Sequence, residues 1–273
     1  MSAINQQYDV AETSHPRIYS QCGEDCLLWH FFEGASRGFY IDVGAFDGRC
    51  ISNTMLFEEL GWDGICIEPN QRYLELCQGN RPRATCIHAA CMADATITEI
   101  DLHVDDAGLF AGLDPETVLE AKRHYQHYNI PFSELHIHRV PAVTLNQLIT
   151  RHVPADRSID LLSIDVEGAE LDVLEGIDLN QCRPRVIVAE ANTGQARDDL
   201  KMYLADFGYS RARSLGVNEF FVRSADDAER MRAIAFQCQL DIADHPLGEP
   251  YTTLTKMNDG FISVESETNR DLA

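Results

Sequence analysis

The sequence predicts an α/β protein with a mostly parallel central sheet and helices on both faces. Short apolar runs alternate with segments of helical periodicity over most of the 273 residues. Four of these runs are apolar almost throughout, as expected of strands that are buried on both faces: 39–43, 64–68, 159–164 and 186–190. The first run leads directly into a glycine-containing turn, which is typical of nucleotide-binding α/β folds.

The remaining elements follow from periodicity, capping residues and turns. Further strands are expected at 84–90 and 96–104 and near 209–214 and 218–223. Gly61 and Gly176 are expected to end two of the helices. We predict helices at 21–32, 52–60, 71–78, 114–128, 144–152, 167–174, 195–207 and 224–242.

The alternation of strands and helices divides the chain into three parts. Residues 1–17 are expected to form a polar N-terminal arm, 18–223 the main domain, and 224–273 a C-terminal helix and tail. Residues 105–135 interrupt the alternation between the third and fourth main strands, so we predict an inserted lid above the carboxyl edge of the sheet. Its aromatic and polar side chains would suit a sugar-like acceptor: Phe110, His124, Tyr125, His127, Tyr128 and Phe132.

Charge and cysteine content restrict the partners and the compartment. The net charge of −22, from 44 acidic and 22 basic residues, argues against binding to nucleic acid or to an anionic membrane surface. Nine cysteines scattered through apolar stretches indicate reduced, buried thiols. No signal peptide and no apolar run of about 20 residues is recognisable, so we expect a cytoplasmic protein. The sequence makes no prediction of the oligomeric state.

The turn after the first strand carries the most informative motif. Asp42, Gly44 and Gly48 form the pattern D-x-G-x-x-x-G, whereas dinucleotide enzymes carry G-x-G-x-x-G for a pyrophosphate. The acid before the glycine indicates a ligand with an ammonium group and a ribose but no phosphate, which is S-adenosylmethionine. Glu68 ends the second strand about twenty residues later, where an acid accepts hydrogen bonds from ribose hydroxyls.

Acidic residues also follow the fourth and fifth main strands. Asp165 and Glu190 are expected to meet at the carboxyl edge of the sheet, where a base would remove the proton of an alcohol acceptor. We predict Asp165 as the base or a metal ligand and Glu190 as its partner, with Glu167 as a third catalytic candidate. A divalent cation on these acids is the less favoured alternative, because Ala191 separates Glu190 from the next oxygen ligand.

Seven segments in this order resemble the FkbM family of S-adenosylmethionine-dependent methyltransferases over about residues 18–223. The resemblance implies a Rossmann-like methyltransferase fold that acts on hydroxyl groups of sugars or secondary metabolites, with a small-molecule or glycan acceptor. The matching segments are SQCGED (20–25), FYIDVGAFDG (39–48), SNT (52–54), GWDGICIEPN (61–70), TLNQLI (144–149), IDLLSIDVEGAE (159–170) and VIVAEAN (186–192).

The resemblance also implies a set of cofactor contacts. Asn53 would reach the methionine end of the cofactor, and Ala90 and Cys91 would lie beside adenine. The N-terminal segment would contribute Gln21 and Asp25 at the cofactor mouth. The full set of implied cofactor contacts is Gln21, Asp25, Asp42, Gly44, Phe46, Gly48, Asn53, Glu68, Pro69, Asn70, Ala90, Cys91 and Asp165.

Other functions remain open from the sequence. An N- or carboxyl-methyltransferase would share the cofactor site but differ in its acceptor. A module that binds the cofactor without catalysis would also keep the fold, although such a module would be expected to lose the glycine turn or Glu68. A nicotinamide-dependent oxidoreductase is disfavoured because its glycine pattern is absent.

Overall fold

The structure, a computed structural model, describes residues 16–105, 111–113 and 135–236. The predictions for 1–15, for the helix at 114–128 and for the tail beyond 236 lie outside these residues. The described strands are β1 (Phe39–Val43), β2 (Asp63–Ile67), β3 (Ala84–Ile87), β4 (Ala90–Cys91), β5 (Glu99–Asp105), β6 (Ala111–Gly112), β7 (Leu135–Val143), β8 (Leu161–Ile164), β9 (Val186–Glu190), β10 (Ser210–Leu215) and β11 (Asn218–Val222).

The central sheet has seven strands in the order β10-β11-β9-β8-β1-β2-β3. The five strands from β9 to β3 are parallel, and β11 is antiparallel to both of its neighbours. The predicted α/β fold with a mostly parallel sheet is therefore confirmed. The strand order reverses beside β1, so the carboxyl ends of β1, β2 and β8 meet at one crevice.

A second, four-stranded sheet was not predicted. Its order is β4-β7-β5-β6, with β5 antiparallel to β6 and β7 and with β4 parallel to β7. The single strand expected at 84–90 is wrong, because the chain there forms β3 in one sheet and β4 in the other. β7 escaped prediction because most of its side chains are exposed and Pro141 interrupts its pattern.

The helices lie close to the predicted positions except at the C-terminal end. The helix expected over 224–242 ends at Ala233, because Ile234 is extended and Arg213 donates to the carbonyls of Met231 and Ile234. Thr144 forms a capping box with Gln147 at the start of one helix, and Gly61 ends another in the left-handed conformation. The described helices are α1 (Glu24–Phe31), α2 (Met55–Leu60), α3 (Gln71–Asn80), α4 (Leu145–His152), α5 (Glu170–Glu175), α6 (Gly194–Asp206) and α7 (Ala225–Ala233).

Helices cover both faces of the central sheet. Along β1, Tyr40 packs into the apolar core formed with α1, α2, α3 and α7, whereas Ile41 packs into the core formed with α4, α5 and α6. This alternation explains why β1 reads as continuously apolar in the sequence. None of the described helices has the length and apolar character needed to span a bilayer.

Candidate active site

The glycine turn after β1 is shaped by the neighbouring strand ends. Gly44 has φ +83°, and its amide donates to the carbonyl of Ile67 at 2.9 Å. A Cβ atom on Gly44 would lie 1.7 Å from the backbone oxygen of Asp165. Only glycine permits both the left-handed backbone and this close approach. The turn therefore packs directly against the segment that carries the predicted base.

Strained backbone is concentrated around the same crevice. Among the described residues, four that are not glycine have positive φ. Three of these four line one cavity: Phe46 (φ 51°), Ile51 (φ 47°) and Glu167 (φ 56°). Left-handed backbone at such side chains costs free energy and is commonly retained at functional sites. The strain thus marks this cavity independently of the motifs.

The cavity lies at the carboxyl ends of β1, β2 and β8 and has a volume of about 1060 Å³, including space open to solvent. The second sheet closes one side of it through Leu102, Gly112 and Leu113. The predicted site residues that line the cavity are Asp42, Gly44, Phe46, Asn53, Glu68, Pro69, Ala90, Cys91, Asp165 and Glu167.

Five predicted site residues are not part of this lining. Gly48 packs against α3, and Asn70 caps the same helix by accepting from the amide of Arg72. Gln21 is exposed, while Asp25 is buried at the start of α1, where it accepts hydrogen bonds from the amides of Tyr19 and Cys26. The structure does not bring these two N-terminal residues to the cavity, and their cofactor role stays a prediction. Glu190, the fifth, lies beside Asp165.

Glu68 is held in a fixed position at the cavity wall. Its Oε2 accepts from the amide of Phe46 at 2.8 Å, and its Oε1 accepts from the amide of Asn70 at 2.7 Å. Burial raises the pKa of this carboxyl to about 7, although both amide hydrogen bonds act in the opposite direction. The carboxylate therefore joins the glycine turn to the start of α3 and keeps acceptor capacity for a ligand hydroxyl.

Asn53 is positioned by a residue that sequence reasoning missed. Its Nδ2 donates to the hydroxyl of Ser163 at 3.2 Å, and both residues line the cavity. Ser163 lies within the apolar run of β8, where a single serine gives no functional signal. Asp94 is the first acid after Ala90 and Cys91 in the sequence. It is exposed and accepts hydrogen bonds from Thr96, so it does not line the cavity beside Ala90.

Arg81 supports the glycine turn from below and was also missed. Its guanidinium donates to the carbonyl of Gly48, and to the hydroxyls of Ser52 at 2.6 Å and Thr54 at 2.8 Å. Asp42 accepts a hydrogen bond from Thr54 and lies 3.6 Å from the same guanidinium. No local pattern predicts this role, because arginine side chains normally face solvent.

The acids after β8 and β9 form a carboxyl pair. Carboxyl oxygens of Asp165 and Glu190 lie within 4.8 Å of each other, so an ionised Glu190 disfavours ionisation of Asp165. Burial, and after it the neighbouring acids, raise the pKa of Asp165 well above its usual range and that of Glu190 to about 8. Asp165, Glu167 and Glu190 each have a carboxylate oxygen that lies within 4.8 Å of the other two. The pair can therefore hold or release a proton near neutral pH.

The start of the next helix corrects one prediction. The helix expected from 167 begins at Glu170, because Glu167 has a left-handed backbone that an α-helix does not accept. Glu170 lies in the first turn, as expected for an acid at a helix N-terminus, and accepts from the amides of Val166 at 3.2 Å and Gly168 at 3.0 Å. Glu167 thus belongs to the cavity turn and not to the helix.

The fold and the site together are those of a Rossmann-like methyltransferase. The central sheet is mostly parallel, with a glycine turn after β1, an acid after β2 and polar groups after β8. The comparison of the chain with protein families identifies the particular family. A model described as the methyltransferase FkbM domain matches residues 42–211. The chain therefore belongs to the FkbM methyltransferase family, and the family supports S-adenosylmethionine as the cofactor.

Solved methyltransferase structures are similar at low sequence identity. A TehB-like S-adenosylmethionine-dependent methyltransferase from Corynebacterium glutamicum shares 12% identity, with 74% of this chain and 88% of that chain covered and a TM-score of 0.37. An O-methyltransferase from Bacillus cereus shares 11%, with 74% and 80% covered and a TM-score of 0.36. A precorrin methyltransferase from Geobacter metallireducens shares 12%, with 72% and 86% covered and a TM-score of 0.36. No curated protein matches the sequence significantly.

Proposed function

We propose that the protein transfers a methyl group from S-adenosylmethionine to a hydroxyl group of a sugar or secondary metabolite. The observation that carries this proposal is the carboxyl pair Asp165–Glu190, whose oxygens lie within 4.8 Å of each other at the cavity lined by Asp165. An alcohol is a poor nucleophile until its proton is removed, so an O-methyltransferase benefits from a positioned base. An amine acceptor already offers a lone pair and has less need of one.

The cavity wall suits the cofactor from end to end. The fixed carboxylate of Glu68 would accept from the ribose hydroxyls, as acids at this strand position do in nucleotide-binding folds. Asn53 and Asp42 also line the cavity and would contact the methionine ammonium, whereas Ala90 and Cys91 would offer a mostly apolar surface for adenine. When bound, S-adenosylmethionine supplies an electrophilic methyl group on a sulfonium.

The carboxyl pair gives the proton of the acceptor a destination. Asp165 lines the cavity, and burial together with the charge of Glu190 raises its pKa well above the usual range. Asp165 would take the proton of the acceptor hydroxyl and pass its own proton to Glu190. One proton therefore moves from the acceptor to the pair for each methyl group transferred, and the carboxyl pair returns it to solvent afterwards.

The insertion at 105–135 remains our proposal for the acceptor lid. Its two flanking strands, β5 and β7, are antiparallel neighbours, so the insertion leaves and re-enters the fold at one place. Gly112 and Leu113, the described residues within it that reach the cavity, form part of the cavity wall. The aromatic residues proposed for acceptor binding, such as Tyr125 and Tyr128, lie outside the described residues. Replacing Tyr125 with alanine should raise the acceptor KM and leave cofactor affinity unchanged.

The proposal is tested with labelled S-adenosylmethionine and a panel of acceptors. The panel pairs each glycoside or polyol with an amine and a carboxylate of the same skeleton. We expect transfer to the hydroxyl compounds, and a loss of about a hundredfold or more in kcat for Asp165→Asn, the lower end of what a general base contributes. Glu175→Gln, an exposed acid on α5, is the matched control and should keep full activity.

The other outcomes separate the alternatives. Methylation of the amines or carboxylates alone would overturn the acceptor assignment while leaving the cofactor site intact. Cofactor binding without turnover on any acceptor would favour a binding module. Loss of activity with EDTA, and its recovery with Mg²⁺, would show that the acids hold a metal ion instead of a shared proton. If Asp165→Asn also lowers the melting temperature sharply, its role is structural.

A further inference from the structure

Three cysteines lie close together on the face of β2 that packs against α1, α2, α3 and α7. Cys66 lies on β2, Cys86 is its register partner on β3, and Cys77 lies on α3 above them. Their three sulfur atoms lie within 4.8 Å of one another, and the Sγ atoms of Cys77 and Cys86 are 3.7 Å apart. Cys66 and Cys77 are buried, whereas Cys86 is half-buried. The cysteine cluster is therefore built from three elements and is reached from solvent through Cys86.

The cysteine cluster touches the proposed cofactor turn from behind. A Cβ atom on Gly48 would lie 2.8 Å from the Sγ of Cys77, so the sulfur packs directly on the backbone of the turn. One helical turn further along the chain, Arg81 donates a hydrogen bond to the carbonyl of the same glycine. The last turn of α3 thus fixes Gly48 through two contacts, and a movement of Cys77 would be transmitted to the turn.

The charges around the cysteine cluster favour a neutral product over a metal complex. Arg81 is already shared between Asp42 and Glu58, each 3.6 Å away. Three thiolates on a divalent ion would add a further buried negative charge to a region where Arg81 already faces two carboxyls. Among the described residues the cysteine cluster offers three ligands, and a structural zinc site takes four. A disulfide, in contrast, is uncharged.

The thiols also differ in reactivity. Hydrogen bonds from Cys66 and Cys77, and the charge of Arg81, lower the pKa of the Cys86 thiol. In contrast, the pKa of Cys77 is raised: the hydrogen bond with Cys66 lowers it, but the hydrogen bond with Cys86 and burial together outweigh that effect. The thiolate is the form that attacks an oxidant, so the accessible cysteine is also the more nucleophilic one.

We propose that Cys77 and Cys86 form a reversible disulfide on exposure to a hydroperoxide, and that this bond weakens cofactor binding at the adjoining turn. The Cys86 thiolate attacks the peroxide, so that an S–O bond forms and the O–O bond breaks to release hydroxide, which takes up a proton as water. Cys77 then attacks the Cys86 sulfur, the S–S bond forms, and a second water leaves with the proton of Cys77. Two thiols and one hydrogen peroxide thus give one disulfide and two waters.

The coupling to the cofactor follows from geometry and rests on the proposed function. A disulfide brings the sulfurs from 3.7 Å to about 2.05 Å, so Cys77 must move toward β3. That movement withdraws the sulfur from Gly48 and displaces the helix end that carries Arg81. We expect the affinity for S-adenosylhomocysteine to fall about tenfold, as for one weakened hydrogen bond to a charged group.

The experiment treats the full-length protein with hydrogen peroxide and then blocks the remaining thiols. A mass loss of two hydrogens, a mapped peptide joining Cys77 to Cys86, and its reversal by dithiothreitol are the expected results. Cys77→Ser and Cys86→Ser should each prevent the mass loss, while Cys182→Ser, a half-buried cysteine elsewhere, should retain it. Melting temperatures check that each variant is folded.

Other results overturn the proposal. A bridge between other cysteines, over-oxidation of Cys86 without a bridge, or zinc that co-purifies in equal amount with the protein would each refute the disulfide. Calorimetry with S-adenosylhomocysteine on reduced and oxidised protein tests the coupling, and equal affinities would refute it. If the reduced protein does not bind S-adenosylhomocysteine at all, the cofactor assignment fails, whereas the peptide map still decides the disulfide.

Discussion

Replacing Arg81 with methionine tests whether a buried cation holds the cofactor turn together. Arg81 is 1% exposed, and its guanidinium serves acceptors on three segments, among them the carbonyl of Gly48 and the hydroxyl of Tyr40 at 3.2 Å. It also lies 3.6 Å from the carboxyls of both Asp42 and Glu58. Methionine keeps the length and the apolar stem of the side chain but removes the charge and every donor.

The magnitude follows from what the substitution leaves behind. Two buried carboxyls lose their counter-charge, and breaking such a buried ion pair from one side costs about 3–5 kcal/mol of unfolding free energy. Arg83→Met is the matched control two residues away. Arg83 pairs with Asp63 at 2.9 Å, but its side chain is 50% exposed and that of Asp63 is 43% exposed. An exposed pair of this kind contributes about 0–1 kcal/mol.

The pH dependence of the loss gives a second readout. Burial raises the pKa of Asp42 in the folded protein, and Arg81 is the main influence that lowers it. Without Arg81 this pKa moves further above its unfolded value. Ionised Asp42 then destabilises the fold at neutral pH, and protonation relieves this as the pH falls toward about 4, the usual range of an aspartate. The difference between variant and wild type should therefore shrink on acidification.

Urea unfolding followed by circular dichroism measures both quantities. The free energy of unfolding is compared at neutral and acidic pH for the wild type, Arg81→Met and Arg83→Met, with the urea dependence checked for equal slopes. If Arg81→Met costs no more than Arg83→Met, the guanidinium does not support the turn. If its cost grows as the pH falls, the carboxylate of Asp42 is not the group left unpaired.

Further predictions concern the turn, the cofactor and the carboxyl pair. Gly44→Ala should lower stability and abolish cofactor binding, because its Cβ would meet a backbone oxygen at 1.7 Å; Gly79→Ala, in a helix with open space around it, should stabilise by about 0.5–1 kcal/mol. Glu68→Gln should weaken S-adenosylmethionine binding in calorimetry by about 1.5–3 kcal/mol, and equal affinity would remove Glu68 from the site. The value of kcat/KM should rise with pH through the pKa of Glu190, about 8. Glu190→Gln should shift this rise in the pH profile. An unchanged profile would exclude Asp165 and Glu190 as the base. Affinity for S-adenosylmethionine, measured by calorimetry, should rise with pH through the pKa of Glu68, about 7. The rise should be steeper than for S-adenosylhomocysteine, which lacks the sulfonium charge. Parallel curves for the two ligands would contradict an attraction between this carboxylate and the sulfonium.

The parts of the fold that the sequence predicts well are those with local signals. β1 and β8 read as strands because apolar side chains cover both faces, and the glycine turn follows because Gly44 has no tolerated substitute. Glu68 was located by its spacing from that turn. These features depend on a few neighbouring residues, and the sheet topology then brings them to one crevice.

The parts that were missed depend on partners distant in the chain. β7 is mostly exposed and contains a proline, so its strand character comes from its pairing with β5 and not from its own pattern. Arg81 is buried because it lies beside the carboxyls of Asp42 on β1 and Glu58 on α2. Both are distant from Arg81 in the sequence, so no local pattern predicts the contact. The left-handed backbone of Glu167 likewise has no signal in the sequence around it.

The acids around the cavity explain why a positively charged methyl donor suits this fold. Burial raises the pKa of Asp42, Glu68, Asp165 and Glu190, and the charge of Asp42 contributes to the rise at both Glu68 and Asp165. Ionised Asp42 therefore disfavours ionisation of Glu68 and Asp165, and a cation placed among these acids reverses that effect. The ammonium and sulfonium groups of S-adenosylmethionine are such cations. Methyl transfer removes the sulfonium charge, so we expect the same acids to hold the product less tightly than the donor and thereby to favour its release.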